Sequence, residues 1–374
     1  MLSDRRRPRL DYAMLVLALA LLCLGLIMVY SASAIWADQK LSDPFYFVKR
    51  QAVWGILGIW AMAFMSRFDY NRLKEWIWPI FAVTVAGLLL ALASAPVGNV
   101  HRWIRLGPIG LQPSEFAKLA AAVFLAYYLD RRASKLDSPW RGFIIPMSFV
   151  GILLVLIGLE PDLGTPVLMF CVTLCVLFVA GSRLKHILAA AALAVPVVVY
   201  EILSKPYRVK RLVTFLTGGL DSQGQGYQVA QALLAAGSGG WLGKGFGASK
   251  LKLMYLPTPH TDFIFPVLCE ELGLIGALTC LALFAGLLLR GLRAARLAPN
   301  MFGTLLATGL TLSICLQAFI NMSMSIGLLP TKGITLPFIS FGGSSLLGTL
   351  AAVGILLNIS RQAQAVVPAR ARQD

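Results

Sequence analysis

Ten apolar runs, each near the length of a lipid bilayer, dominate this 374-residue chain: about 12–34, 49–66, 76–95, 114–130, 142–159, 163–181, 184–203, 263–289, 301–326 and 340–360. About 20 residues of α-helix cross about 30 Å of hydrocarbon. Inside lipid a backbone must satisfy its own hydrogen bonds, so such runs are helices. The composition agrees, with 58% hydrophobic and 13% charged residues against about 25% charged in soluble domains. The pattern predicts an all-α polytopic membrane protein with about ten transmembrane helices. The first run follows MLSDRRRPR, is long for a signal-peptide core and reads as a retained span.

The formal net charge of +16 raises nucleic acid as a partner, but no separate basic tract with interleaved aromatics exists, so no nucleic acid is expected. The cations fall instead in alternate connections: Arg5, Arg6, Arg7 and Arg9; Arg67, Arg72 and Lys74; Arg131, Arg132, Lys135 and Arg141; Arg183 and Lys185; Arg290, Arg293 and Arg296; then Arg361, Arg370 and Arg372. With both termini cytoplasmic, every predicted inner segment is basic, as the positive-inside bias requires. Nine or eleven spans break that alternation. The organisation expected is a cytoplasmic tail at 1–11, a transmembrane domain at 12–362 with a large extracytoplasmic loop at about 204–262 between spans 7 and 8, and a cytoplasmic tail at 363–374. Six cysteines scattered through apolar runs and three histidines make no metal-ligand pattern.

Three outer segments mix Gly, Pro and charge: 94–118, the 204–262 loop and 327–345. Such backbone is tolerated at membrane depth where it lines a cavity. Asp262 directly precedes FIFPVLC, at the hydrocarbon boundary. It either caps the eighth span or faces a polar cavity. Glu270 and Glu271 follow about 12–13 Å along the helix, as either a structural pair with cations or backbone, or part of the chemistry. Glu115 and Lys118 in PSEFAK share a helix face, as a self-neutralising pair or as the border of a cavity. Arg102 and Arg105, Arg208, Lys210 and Arg211, and Lys332 are outer cations that the positive-inside bias should remove. Clustered, they make an anion site, although Arg105 and Lys210 are expected to reach toward lipid headgroups. In SFGGSS, Ser340, Gly342 and Gly343 either pack helices closely or present backbone N–H groups and hydroxyls to a ligand.

The blocks YRVKRLVTFL, GQGYQVAQALLAAGSGGWLGKGFGAS, YLPTPHTDFIFPVLCEELGLIG and GLLPTKGITLPFISFGGSSL together resemble the SEDS family (shape, elongation, division and sporulation). These are ten-span bacterial proteins that polymerise the peptidoglycan precursor lipid II. The resemblance covers about 12–362, and LLPTKGITLPF is closer to the division branch than to the elongation branch. It implies that Asp262 is the catalytic carboxylate, and that Glu115 and Lys118 border the central cavity. Arg102, Arg208, Arg211 and Lys332 become candidate diphosphate contacts, with His260, Thr261 and Ser340 beside the substrate and Glu270, Glu271, Gly342 and Gly343 supporting it. Thr258 stands where the family usually has an acid, and Phe341 where it commonly has Tyr.

The chemistry implied is inverting glycosyl transfer with undecaprenyl pyrophosphate as leaving group. A sugar hydroxyl needs a positioned base, and a departing diphosphate needs positive charge more than a proton. One acid among several cations meets both needs. No bound cofactor is expected, while a divalent cation (Mg or Mn) at Asp262 is compatible with the chemistry. Implied partners are lipid II, the nascent glycan strand, a class B penicillin-binding protein and other division proteins, at the septal cytoplasmic membrane. The alternatives are a lipid II flippase, an elongation-type polymerase and a scaffold.

Overall fold

Each apolar run folds as a helix in the computed structural model, which describes residues 10–95, 101–107, 109–216, 225–249, 260–331 and 333–370. In chain order the main elements are α1 (Tyr12–Leu41), α2 (Tyr46–Arg67), α3 (Ile77–Ala93), the strands β1 (Ile104–Leu106) and β2 (Ile109–Leu111), α4 (Pro113–Arg131), α5 (Ile145–Leu159), α6 (Gly164–Val179), α7 (Leu184–Leu203), α8 (Pro206–Leu216), α9 (Gln225–Ser238), α10 (Ile264–Leu297), α11 (Met301–Ser325) and α12 (Gly343–Arg370). The last helix continues to Arg370, past residue 360 where the final apolar run ends.

Six stretches are long and apolar enough to cross a membrane: Tyr12–Leu41, Trp140–Leu159, Leu184–Leu203, Ile264–Leu297, Met301–Ser325 and Gly343–Gln364. Ile77–Ala93 and Gly164–Val179 are shorter apolar helices. α2 and α4 cover the remaining two runs and carry more charge, with Lys49, Arg50 and Arg67 on one and Glu115, Lys118, Asp130 and Arg131 on the other.

α4, α11 and α12 form the buried centre, whereas α7 buries only Ile187 and presents the rest of its surface outward. Small residues let the central elements approach. A Cβ on Gly25 of α1 would collide with the Phe338 carbonyl oxygen, and one on Gly354 of α12 would lie 2.5 Å from that of Met62. Close packing of this kind replaces the hydrophobic drive that lipid removes. Helix starts follow local chemistry: the Asp11 carboxylate accepts from Met14 N at 3.1 Å to cap α1, and Pro113 opens α4, where its missing N–H costs nothing.

Two interruptions of helical order shape the site. The β1–β2 hairpin pairs Ile104 with Leu111 and Arg105 with Gly110, and turns through Gly107 at φ +64°. It delivers Arg102, Arg105 and Gln112 to one end of the bundle. The segment 333–342 then folds back into the protein before α12, with Phe338 buried at φ +66°.

Candidate active site

A cavity of about 900 Å³ is lined by Asp262, His260, Thr261, Arg102, Arg105, Glu115, Gly342 and Gly343, together with Lys49, Arg50, Trp54 and Gln112. Residues from distant parts of the sequence therefore share one wall. A smaller cavity of about 70 Å³ adjoins it through Arg102 and Gly333, and is lined by Arg208, Arg211, Tyr207 and Asp162.

Asp262 sits in the turn just before α10. Its backbone is clamped: Asn321 Nδ2 donates to its carbonyl at 3.1 Å and to the Ile334 carbonyl at 2.6 Å, and Ser325 Oγ donates to the Asp262 carbonyl at 3.4 Å. Its carboxylate accepts no hydrogen bond from a described residue, and α10 has no side-chain cap. Burial drives the Asp262 pKa up to about 6, with Arg102 and Arg211 pulling it back and Asp162 pushing it further up. The group is therefore charged at neutral pH and close enough to its pKa to take a proton. Gly333 lies between acid and guanidinium: a Cβ there would be 3.4 Å from Asp262 Oδ2 and 3.8 Å from Arg102 Nη1.

Arg102 is fixed by the 160–162 turn. Its Nε donates to the Glu160 carbonyl at 3.2 Å, its Nη2 to the Pro161 carbonyl at 2.7 Å, and Nη2 is 3.8 Å from Asp162 Oδ1. Asp162 in turn accepts from Gly164 N at 2.9 Å and from Thr165 Oγ1 at 2.8 Å, both at the start of α6. The Glu160 side chain is wholly buried, and neither carboxylate oxygen has a partner among the described residues. Burial first, then Asp162, raises its pKa to about 8, so it is mostly neutral at pH 7. Arg208 is buried and donates to the Glu201 carboxylate, to the Glu201 carbonyl at 2.7 Å and to Tyr207 Oη at 3.0 Å. Its Nη2 has no partner among the described residues.

Lys118 Nζ is 2.7 Å from Glu115 Oε2 and also donates to Gln317 Oε1. Gln317 Nε2 donates to the Thr335 carbonyl at 2.9 Å, and Thr335 Oγ1 is 3.2 Å from Ser345 Oγ. The pair is thus self-neutralising and also stands at the cavity edge, where Glu115 contributes lining. His260 is buried against Phe47 at 4.3 Å between ring centroids and against Phe341 at 5.8 Å. Burial lowers its pKa to about 4, leaving a neutral imidazole at pH 7.

Ser340 does not line the cavity. Its hydroxyl donates to the Thr261 carbonyl at 2.6 Å and accepts from Leu336 N at 2.8 Å. Gln51 holds the same strand of backbone, donating to the Ser340 carbonyl at 3.1 Å and accepting from Gly342 N at 3.2 Å. Glu270 pairs with Lys244 at 2.8 Å, and Glu271 accepts from Ser31 Oγ at 2.6 Å, both below the cavity on α10. Lys332 lies outside the described residues. Arg105, expected at the headgroups, contributes to the cavity wall.

Sequence reasoning missed Lys49, Arg50, Gln112, Glu160, Asp162, Gln317, Asn321 and Gly333. Two signals were available: amide side chains four residues apart within an apolar run, at 317 and 321, and two carboxylates in the five-residue turn EPDLG. Among the described residues no group of three or more His, Cys, Asp or Glu side chains converges to hold a metal ion. A Mg or Mn ion at Asp262 would depend on substrate oxygens for the rest of its shell.

Comparison with known proteins places this geometry. A family model described as "Cell cycle protein", covering FtsW, RodA and SpoVE, matches residues 12–365. A Geobacter sulfurreducens protein named "Probable peptidoglycan glycosyltransferase FtsW" is 43% identical over 362 residues, spanning 96% of this chain and 97% of the relative. Stage V sporulation protein E of Bacillus subtilis is 43% identical over 355 residues, spanning 94% and 97%. A chain from a solved peptidoglycan synthase complex that coordinates polymerization and crosslinking superposes with a TM-score of 0.79 at 28% identity, covering 95% of this chain and 98% of that one. The crystal structure of the rod shape determining protein RodA from Thermus thermophilus gives a TM-score of 0.71 at 25% identity, covering 94% and 97%.

Proposed function

The chain belongs to the cell cycle protein family of FtsW, RodA and SpoVE, and from that premise we propose that it is a peptidoglycan glycosyltransferase that polymerises lipid II during cell division. The reading places ten spans in the cytoplasmic membrane, both termini inside, and the 204–262 loop outside at the division septum. Asp262 and the large cavity then meet the outer interface, where a lipid-anchored sugar diphosphate presents its reacting bond.

One observation carries the reading. A carboxylate free of hydrogen bonds from described residues lines a cavity of about 900 Å³, with Arg102 and Arg211 acting on its charge. In the proposed step Asp262 accepts the proton of the acceptor 4-hydroxyl. That oxygen forms a bond to the anomeric carbon of the donor as the bond from that carbon to the diphosphate oxygen breaks, with inversion. Both electrons of the broken bond leave on undecaprenyl diphosphate, whose charge Arg102, Arg208 and Arg211 meet as a guanidinium cluster. The Arg208 nitrogen without a described partner supports that assignment. The buried Glu115–Lys118–Gln317 chain holds the Glu115 part of the lining in register.

A transpeptidase of class B, with other division proteins, is the partner expected to crosslink the new strands. The solved complex that couples polymerization with crosslinking supports that pairing. The test is direct: purified protein with labelled lipid II should yield glycan strands and release undecaprenyl diphosphate. Protein that is folded and leaves lipid II monomeric, with and without the transpeptidase, contradicts the proposal.

A further inference from the structure

The helix that follows Asp262 is not continuous. Gly273 breaks α10 with φ 65° and ψ −164°, leaving a short outer half, 264–272, joined to a long inner half. The backbone groups freed at the break are taken up by the segment 239–249. Lys244 N donates to the Glu270 carbonyl at 3.0 Å and Gly245 N to that of Glu271 at 3.1 Å. In the other direction Leu274 N donates to the Gly240 carbonyl at 2.9 Å and Ile275 N to that of Trp241 at 3.2 Å.

Three glycines make this interlock possible. A Cβ on Gly239 would collide with the Cys269 carbonyl oxygen, one on Gly243 with that of Glu271, and one on Gly273 with Gly243 N. Gly243 and Gly273 also have φ of +79° and +65°, which L side chains rarely adopt. Side chains then fasten the contact. Glu270, 2% exposed, is 2.8 Å from Lys244 Nζ and accepts from Ser249 Oγ at 2.6 Å. Lys244 Nζ also donates to Ser238 Oγ at 2.6 Å.

We propose that Lys244 and Glu270 are positioning residues for the transfer reaction: by docking the 239–249 segment on the broken turn, they hold the half-helix that carries Asp262 against Arg102 and Arg211. The inference rests on Asp262 acting as the base of that reaction. A continuous helix would transmit its position from the bundle. A helix broken at Gly273 cannot, so its inner end is set by the docked segment and its outer end by the Asn321 and Ser325 contacts. Removing Lys244 takes away the cation 2.8 Å from the buried Glu270 carboxylate together with its hold on Ser238, which loosens the docked segment from the broken turn. A displacement of about 1 Å at a reacting group lowers turnover by up to about 100-fold.

The test uses the full chain and lipid II. Lys244→Met should lower kcat by about tenfold or more while KM stays within about twofold, and Lys244→Arg should restore kcat to within about threefold of wild type. Ser249→Ala should move kcat in the same direction by less. A second readout needs no activity: in Asp262→Cys protein, adding Lys244→Met should change the rate of modification of the introduced thiol by a charged reagent by about threefold or more. A Lys244→Met enzyme with wild-type kcat, a loss that Lys244→Arg does not recover, or an unchanged labelling rate overturns the proposal. If wild-type protein is inactive on lipid II while thiol labelling of the Asp262→Cys variant still responds to Lys244→Met, the result counts against the lipid II reading alone.

Discussion

Asp11 and Asp262 stand at opposite ends of α10, each at the start of a long apolar helix, and they are used in opposite ways. Asp11 is buried and fully satisfied. It accepts from Met14 N, from Arg290 at 2.6 and 3.1 Å, and from Ser360 Oγ at 3.4 Å. Asp262 borders open space, and its carboxylate receives no hydrogen bond from the described residues. Its nearest electrostatic support comes from guanidiniums that a substrate diphosphate would also engage. The same residue type near a helix start is a structural bolt when every lone pair is used, and is left available for chemistry when its lone pairs face a cavity. The surroundings repeat the contrast. At the Asp11 end, Lys74 pairs with Asp130 at 2.7 Å and Asn358 ties α12 to Ser66 and Tyr70. At the Asp262 end, Glu160 and one Arg208 nitrogen are buried without described partners.

The sharpest way to break this comparison is to remove the charge from both. Asp262→Asn should lower lipid II polymerisation by about 100-fold or more, the range for a lost general base. Asp11→Asn should leave turnover per folded molecule within about twofold, because Asp11 touches no part of the cavity. Next in size is Gly333→Ala, which places a methyl in ordinary contact with both Asp262 and Arg102. It should fold normally and lower kcat/KM by about tenfold, read in steady-state assays.

Stability should move the other way. Asp262 has a folded pKa raised to about 6. Its contribution is therefore favourable below the ordinary aspartate range and is lost as pH rises through about 6. Asp262→Asn should stabilise the protein at pH 7 by about 1–3 kcal/mol in thermal or denaturant unfolding in detergent, whereas Asp11→Asn should destabilise it by about 1–3 kcal/mol. The same value fixes the activity profile: kcat/KM should fall as pH drops through about 6, where the base becomes protonated. The smallest effect belongs to Glu160→Gln. Glu160 is mostly neutral at pH 7, with its pKa raised to about 8, so the near-isosteric amide should change rate by less than about twofold there. The variant should also be more stable than wild type, by a margin that grows from about pH 4.5 to about 8 and then levels off, since in that range the unfolded carboxylate ionises while the buried one stays protonated.

The helices were legible because lipid imposes one rule on every apolar run, and each run is a helix. Asp262 and Arg102 were legible because a charge at the hydrocarbon boundary stands out against its neighbours. Lys49, Arg50 and Gln51 were not, since on α2 they look like ordinary residues near a helix end; only folding brings them beside 340–343, some 290 positions away. Ser340 read as a ligand group because hydroxyl chemistry suits either role, and its partners Thr261 and Leu336 are set by the return of the 333–342 segment. The break at Gly273 was hidden for a related reason. A glycine inside an apolar run is common in packed helices, and only the positive φ and the docked 239–249 segment reveal the interruption.

The most direct measurement is polymerisation of labelled lipid II by wild-type, Asp262→Asn and Asp11→Asn proteins, compared at equal amounts of folded protein. The expected result is strands from wild type and Asp11→Asn and none from Asp262→Asn, with Asp262→Asn the most thermally stable of the three. Strands from Asp262→Asn at the wild-type rate would show that this carboxylate is not the base.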